Sequence, residues 1–245
     1  MPNPIVGCVV AVNLVCNTAS GASAAIANAL DFQIVHPDQG DFHRVAQDLA
    51  AAADDRRLAP ATAEGLLGFE LGVFGSLTPT QDSEAWQRLL GAPVDEIGLV
   101  GVTVGKELPF GFDLGARYAR LVGSDAAIFG GSLRYAVLEG SAVTPALSVR
   151  GSYSAAAGTH DLAYHAWAAD LELSQRVLLA TPYAGFGYAE STLKAAPESQ
   201  LADERLDRIK GYAGLRLRLG PVAASAEYER FGANDSYAAS VGFSF

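Results

Sequence analysis

The sequence predicts an all-β fold: a transmembrane antiparallel up-and-down β-barrel of about ten strands, with a short helical segment ahead of it. The first observation is the end of the chain. Tyr237, Ala239, Val241, Phe243 and Phe245 alternate with small or polar residues, a period of two that runs to a final aromatic side chain. Terminal residues fray unless tied down, and a last strand paired with the first both anchors them and removes the sheet edges. The second observation is alternation punctuated by turn residues, recurring from Glu64 to the end. The third is that the two alternating faces differ in kind, one charged and one apolar.

Residues 1–24 read as an export signal. Ile5-Val-Gly-Cys-Val-Val-Ala-Val-Asn-Leu-Val-Cys16 forms an apolar core, followed by cleavage-like triplets at Ala22-Ser-Ala24 and Ala27-Asn-Ala29. Cleavage follows residue 24, or residue 29 at the latest. The usual Lys or Arg ahead of the core is missing. Ile5-Val-Gly-Cys8 also fits a lipoprotein signal, but with too little sequence upstream. Cleavage removes both cysteines, Cys8 and Cys16, as suits an oxidising compartment. After this segment no apolar run approaches the roughly 18 residues of a spanning helix.

Residues 30–63 form a separate segment. Asp41 is positioned to cap a helix running through Leu49 to about Arg57, with Phe42, Val45, Leu49 and Ala52 at helical spacing and Pro60 as its stop. Packed on the periplasmic rim or inserted as a plug, the segment has the same sequence signature.

The barrel then occupies 64–245. Its expected strands are Glu64–Leu77, Glu96–Leu108, Phe112–Val122, Ala126–Leu138, Pro145–Ala155, Leu162–Gln175, Pro182–Lys194, Ile209–Leu219, Val222–Phe231 and Tyr237–Phe245. The connections after even-numbered strands are mostly short. The two longest, Thr78–Asp95 and Ala195–Arg208, follow strands one and seven. Outer-membrane barrels show this asymmetry, with short periplasmic turns and longer external loops, and they have an even strand number. The C-terminus is then periplasmic.

Alternation is shared by membrane barrels and soluble lipocalin-like barrels; only the direction of the apolar face differs. With the apolar face outward, the inward charged residues are Glu70, Asp113, Arg117, Arg134, Arg150, Asp170, Glu172, Lys210, Arg216, Arg218, Glu227 and Glu229. That set balances six cations against six anions. Enclosed charges need partners, because an uncompensated one costs several kcal/mol, so the balance favours a closed interior. Phe110, Phe112, Tyr153, Tyr164, Trp167, Tyr183, Phe231, Tyr237 and Phe245 lie near strand ends, where amphipathic rings suit a membrane interface.

The formal charge of −10 argues against nucleic acid as a partner. The acidic excess gathers in expected loops, at Asp82, Glu84, Asp95, Glu96, Glu198, Asp203, Glu204 and Asp207. There it is solvated, or bridged by divalent cations to lipopolysaccharide. Expected partners are outer-membrane lipid and lipopolysaccharide, and the barrel assembly machinery. Tyr237, Val241, Phe243 and Phe245 supply the terminal signal that this machinery reads.

No cofactor or metal is expected, since no ligand spacing is present. His160-Asp161, His165, Ser152 and Ser154 are the candidates for a rim active site, but nothing in their spacing brings a nucleophile to a base. His36 and His43 belong to the N-terminal segment. Gly185-Phe-Gly187 lacks the strand-to-helix context of a nucleotide loop, and glycine in such strands relieves curvature.

Leu108-Pro-Phe-Gly-Phe-Asp-Leu-Gly-Ala116, Tyr135-Ala-Val-Leu-Glu-Gly140, Thr144-Pro-Ala-Leu-Ser-Val-Arg-Gly-Ser-Tyr153, Thr181-Pro-Tyr-Ala-Gly185 and the Phe245 terminus together resemble an uncharacterised family of proteobacterial outer-membrane β-barrel proteins. The resemblance spans roughly Gly65 to the end. It implies a membrane barrel behind a cleaved signal peptide and brings no catalytic residues. Three functional classes follow: a narrow or occluded passive conduit for a small or lipophilic solute, a structural or surface-interaction barrel, and a rim enzyme. The conduit is the expected function, with no enzymatic activity.

Overall fold

The computed structural model describes residues 32–61, 68–141, 143–159 and 161–244. The export signal, the beginning of the first expected strand (Glu64 to 67), His160 and Phe245 lie outside these residues. Ten antiparallel strands close into one barrel in sequence order, β1 pairing with β10. The strands are β1 (Phe69–Pro79), β2 (Glu96–Glu107), β3 (Phe112–Leu121), β4 (Ala127–Leu138), β5 (Ala146–Ala157), β6 (Leu162–Ser174), β7 (Ala180–Ala195), β8 (Glu204–Leu219), β9 (Val222–Phe231) and β10 (Asn234–Ser244). Closure sets Leu71 opposite Phe243, Val73 opposite Val241 and Leu77 opposite Tyr237, so the terminal alternation and the β1 alternation lock in one register.

The exterior is apolar. Leu71, Val73, Val100, Leu114, Phe129, Leu133, Val149, Trp167, Phe186, Leu215, Leu217, Val241 and Phe243 all face out, with Trp167 63% exposed. Cross-strand ring pairs reinforce this face: Phe112–Tyr135, Tyr118–Phe129, Tyr153–Trp167 and Tyr228–Tyr237, with centroids 4.6 to 5.5 Å apart. A continuous apolar exterior around a charged interior is the construction of a membrane-spanning barrel, not of a lipocalin-like one. No helix among the described residues is long and apolar enough to cross a membrane.

One end of the barrel carries the long connections, after β1 and β7; the other carries the β2–β3, β4–β5, β6–β7 and β8–β9 turns. These are called the loop end and the turn end below. The sequence placed the longest connections correctly but missed their internal structure. The Thr78–Asp95 stretch, expected as a long polar connection, contains the helix α2 (Ser83–Leu90). Asp82 caps it by accepting a hydrogen bond from the Ala85 amide at 3.1 Å, and Gly91 ends it at φ +83°. Strand β8 begins at Glu204 rather than Ile209, and β9 turns into β10 through Gly232-Ala233 alone. Polar residues that alternate on an extended hairpin look like loop when only hydrophobicity is tracked.

The helix α1 (Gln39–Ala53) differs from expectation at both ends. Its cap is Asp38, which accepts from the Asp41 amide at 2.9 Å, and it stops at Ala53 rather than near Arg57. The helix lies inside the barrel, packing against β1, β2, β5, β8 and β10 and against α2. Phe42, Val45, Ala46, Trp86, Leu89 and Val94 join one apolar cluster under the loop end. Each large side chain so buried contributes roughly 1.5–3 kcal/mol.

The β1–β10 seam yields a direct check. Cysteines at the opposed positions Val73 and Val241 should cross-link on mild oxidation. The offset pair Val73→Cys with Tyr237→Cys should remain open, and rapid cross-linking of that pair would show a different register.

Candidate functional site

The site is the lumen. Four consecutive charged residues, Asp54-Asp55-Arg56-Arg57, follow α1, and each meets an opposite charge on the wall. Asp54 takes a 2.7 Å ion pair from Lys210, whose ammonium also lies 3.1 Å from Asp170. Asp55 sits between Arg150 at 3.3 Å and Arg117 at 3.4 Å. Arg56 reaches Glu229 at 2.7 Å, and Arg57 reaches Asp113 at 2.9 Å. The run carries two carboxylates and two guanidiniums, so it fills the lumen without changing its charge balance. Burial of these pairs leaves little solvent to screen them.

The same residues end the helix. The final turn of α1 leaves carbonyls with no intrahelical partner. Arg56 donates to the Ala51 and Ala52 carbonyls at 2.6 and 3.3 Å, and Arg117 donates to the Ala53 carbonyl at 3.0 Å. Two cations thus stand at the negative end of the helix dipole, where positive charge is stabilising. This explains why α1 stops at Ala53: continuing it would pull Asp54 to Arg57 away from their wall partners.

Above and below this layer the segment is held by further contacts. Toward the loop end Asp48 is buried and accepts from the Trp86 indole at 2.8 Å, the Gln81 amide at 3.1 Å and the Asn234 amide group at 2.6 Å. Toward the turn end Arg134 donates to the Pro60 carbonyl and stands 3.6 Å from both Asp113 and Glu172. There a small cup opens among Arg57, Pro60, Glu70, Asp113, Arg134 and Arg216. Wall tyrosines donate to two carboxylates: Tyr183 to Glu227 and Tyr212 to Glu172, each at 2.9 Å.

The inward charged residues expected from the alternation are found as follows. Asp113, Arg117, Arg134, Arg150, Asp170, Glu172, Lys210, Arg216, Glu227 and Glu229 are buried. Glu70 is half-buried and pairs with Arg216 at 2.8 Å. Arg218 has the inward parity but sits at the turn-end rim, donating to the Gly220 carbonyl at 3.2 Å, outside the paired lumen layer. Tyr237, Val241 and Phe243 face outward. Ser152 and Ser154 point into the lumen, whereas His165, two residues before Trp167 on β6, shares the outward parity of that exposed side chain. The candidate rim nucleophiles and this histidine are therefore on opposite sides of the wall. Among the described residues no cluster of three His, Cys, Asp or Glu side chains forms a metal site.

Alternation could not find the inner half of the site, because Asp54 to Arg57 are not on a strand. A run of four charges inside an alanine-rich segment was its only signal. Wall glycines also have a role beyond curvature. A β-carbon on Gly105 would collide with the Arg57 guanidinium, and one on Gly130 with the Asp55 carboxylate. The wall is thinned where the plug's charged side chains approach it.

At the loop-end mouth, Asp41 of α1 accepts from Arg88 of α2 at 2.8 and 2.9 Å and from Arg44 at 2.7 Å. The hydrogen bond from Arg88 is the main cause that pulls the Asp41 carboxyl below its ordinary 3.8, with the charges of Arg88 and Arg44 adding to it against partial desolvation.

Neither a protein-family model nor a curated protein sequence matches the chain. Solved structures are similar at low identity. The β domain of the Bordetella autotransporter BrkA is 12% identical, covering 74% of this chain and 100% of that one with a TM-score of 0.42. A KdgM porin is 10% identical over 72% of this chain and 99% of that one, with a TM-score of 0.38. The N-terminal β-barrel domain of Pseudomonas aeruginosa OprF is 16% identical over 74% and 100%, with a TM-score of 0.37.

Two predictions follow from the paired lumen and its mouth. Arg56→Met leaves Glu229 buried beside Glu227 without its ion pair, and should lower stability by about 3–5 kcal/mol. Adding Glu229→Gln should restore most of the loss, as read by urea unfolding of the heat-modifiable band. For Asp41, a depressed folded-state carboxyl contributes stability above its unfolded pKa that is lost as pH falls through the folded value. The clasp between α1 and α2 should therefore be at full strength above about pH 4 and weaken progressively as pH falls below it. Trp86 fluorescence should report that weakening, and Arg88→Met should move it to higher pH.

Proposed function

We propose that the protein is a bacterial outer-membrane barrel sealed at rest by its own N-terminal segment, and a conduit for a small solute when that segment moves. The observation that carries this reading is the Asp54-to-Arg57 run paired to the wall across the middle of the lumen. A helix with its side chains is about 10–12 Å across, and an eight-stranded interior is already filled by side chains alone. A helix inside ten strands leaves no open path.

The chemistry of the seal favours movement. Buried ion pairs roughly break even against apolar packing of the same shape, and water entering the lumen would hydrate both partners once they separate. The ionic half of the plug is therefore easier to release than the apolar half packed under α2. An ionic wall also favours a small polar or charged solute over a lipophilic one.

In this reading the turn end faces the periplasm and the loop end the cell exterior, as short turns and long loops are arranged in outer-membrane barrels. The exterior apolar belt meets lipid, the exposed loop-end acids meet lipopolysaccharide through divalent cations, and the terminal β10 residues meet the assembly machinery. Export proceeds through the inner membrane. A second reading, a structural or surface-interaction barrel without transport, is favoured by the 16-residue strands β7 and β8 and by the α2-bearing connection at the loop end.

Planar-bilayer conductance separates the two. The native protein should be silent at low voltage, and Asp54→Asn/Asp55→Asn/Arg56→Gln/Arg57→Gln should give discrete channel steps while keeping heat-modifiable mobility. Steady native conductance equal to that of the variant would contradict the seal. A folded but silent variant would favour the structural reading.

A further inference from the structure

The sign of the charge left on the wall decides which solutes an unsealed lumen admits. Parity along the strands gives six inward cations and six inward anions. Arg218 leaves that set, because it sits at the turn-end rim. Glu107, at the end of β2, joins it, because it is buried and lines the turn-end cup. Between the two rims, among the described residues, the wall therefore carries seven carboxylates against five cations. The Asp54-to-Arg57 run holds two of each, so its departure leaves the excess of acid in place.

Most of these wall ions keep a wall partner without the plug. Arg150 and Lys210 both hold Asp170, at 2.7 and 3.1 Å. Arg134 stands 3.6 Å from Asp113 and from Glu172, and Arg216 holds Glu70 at 2.8 Å. Arg117, Glu227 and Glu229 differ. Arg117 on β3 has Asp55 of the plug as its acid, at 3.4 Å. Glu229 on β9 accepts two hydrogen bonds from the Arg56 guanidinium, at 2.7 and 3.0 Å. Glu227, two residues earlier on the same inward face, accepts from a neutral group, the Tyr183 hydroxyl. Withdrawal of the plug thus bares two carboxylates on β9 and one guanidinium on β3, in a different sector of the ring.

We infer that the unsealed conduit selects small cations, that Glu227 and Glu229 set this preference, and that Arg56 takes at rest the place of the solute's cationic group. The inference rests on the conduit reading above. A narrow passage with low-dielectric walls focuses the field of its fixed charges and concentrates counter-ions, and acidic side chains lining a pore favour cations. The resting contact displays the chemistry. The Arg56 guanidinium lies between Glu229 and the Ala51 and Ala52 carbonyls. Those carbonyls leave with α1, and Glu229 then lacks its donors. A small solute with a guanidinium or primary ammonium group replaces them, whereas an anionic solute meets Arg117 alone.

The test uses the Asp54→Asn/Asp55→Asn/Arg56→Gln/Arg57→Gln protein in a planar bilayer under a potassium chloride gradient. Its reversal potential should give a potassium-over-chloride permeability ratio of about threefold or more. Adding Glu227→Gln and Glu229→Gln leaves the wall charges balanced and should bring the ratio to about one. Glutamine keeps an acceptor for Tyr183, and heat-modifiable mobility reports whether the barrel is folded. Adding Arg117→Gln instead should raise the ratio, which keeps the test open if the glutamine pair does not fold. Guanidinium chloride added to the bath should reduce the potassium current, and should not do so once Glu227 and Glu229 are glutamine. A ratio of one or less in the starting variant would overturn the cation preference. An undiminished ratio in the folded glutamine variant would overturn the assignment to β9, and indifference to guanidinium would overturn the role given to Arg56. A folded starting variant with no channel steps would contradict the conduit reading itself, and this inference with it.

Discussion

The requirement that enclosed charges be paired governs this molecule. A ten-stranded barrel with an apolar exterior must direct its alternate side chains inward, and here those side chains are charged. Their own cross-strand pairing is incomplete: Glu229 takes its ion pair from Arg56 of the plug, and Asp54 joins Asp170 around Lys210. The wall and the Asp54-to-Arg57 run are complementary halves of one electrostatic unit. Leaving either half enclosed without the other would cost several kcal/mol for each unpaired ion.

That requirement reaches outward into the rest of the fold. It sets where α1 ends, since residues beyond Ala53 must leave the helix to reach the wall. It places Arg56 and Arg117 on the helix's last carbonyls, so the ions that pair the lumen also cap the plug. It accounts for inward glycines at Gly105 and Gly130, where any side chain would occupy the space of Arg57 or Asp55. The upper half of the plug obeys different physics. There apolar burial against α2 does the holding, with Asp48 satisfied by neutral donors and Asp41 by Arg88 and Arg44.

The barrel itself was legible because a period of two is unambiguous when one face is apolar and lipid-exposed. Strands β2, β3, β4, β6 and β9 were located to within a residue, and the β10 alternation pointed to closure against β1. The inward charges followed from parity alone, and Arg218 strayed only because parity says nothing of height along the barrel. What the alternation could not carry was anything off the strands. Helix α2 hid in a polar connection although Asp82 and Gly91 mark its two ends, and β8 hid its first five residues because Leu206 is the one apolar side chain among them. The plug's location depended on long-range pairing between residues some 60 to 170 positions apart, such as Arg57 with Asp113 and Arg56 with Glu229, and local pattern holds no such information.

The plug is the central claim, and amide hydrogen exchange of the native protein in lipid tests it most directly. Exchange is slow where backbone groups are hydrogen-bonded and opening is costly. Peptides covering 42–57 should be protected to the same degree as the β7–β8 strands, and Arg56→Met should release that protection well beyond any loss in the strands. Exchange of 42–57 at the rate of a free peptide, with the barrel strands protected, would show that the lumen is not held closed by this segment.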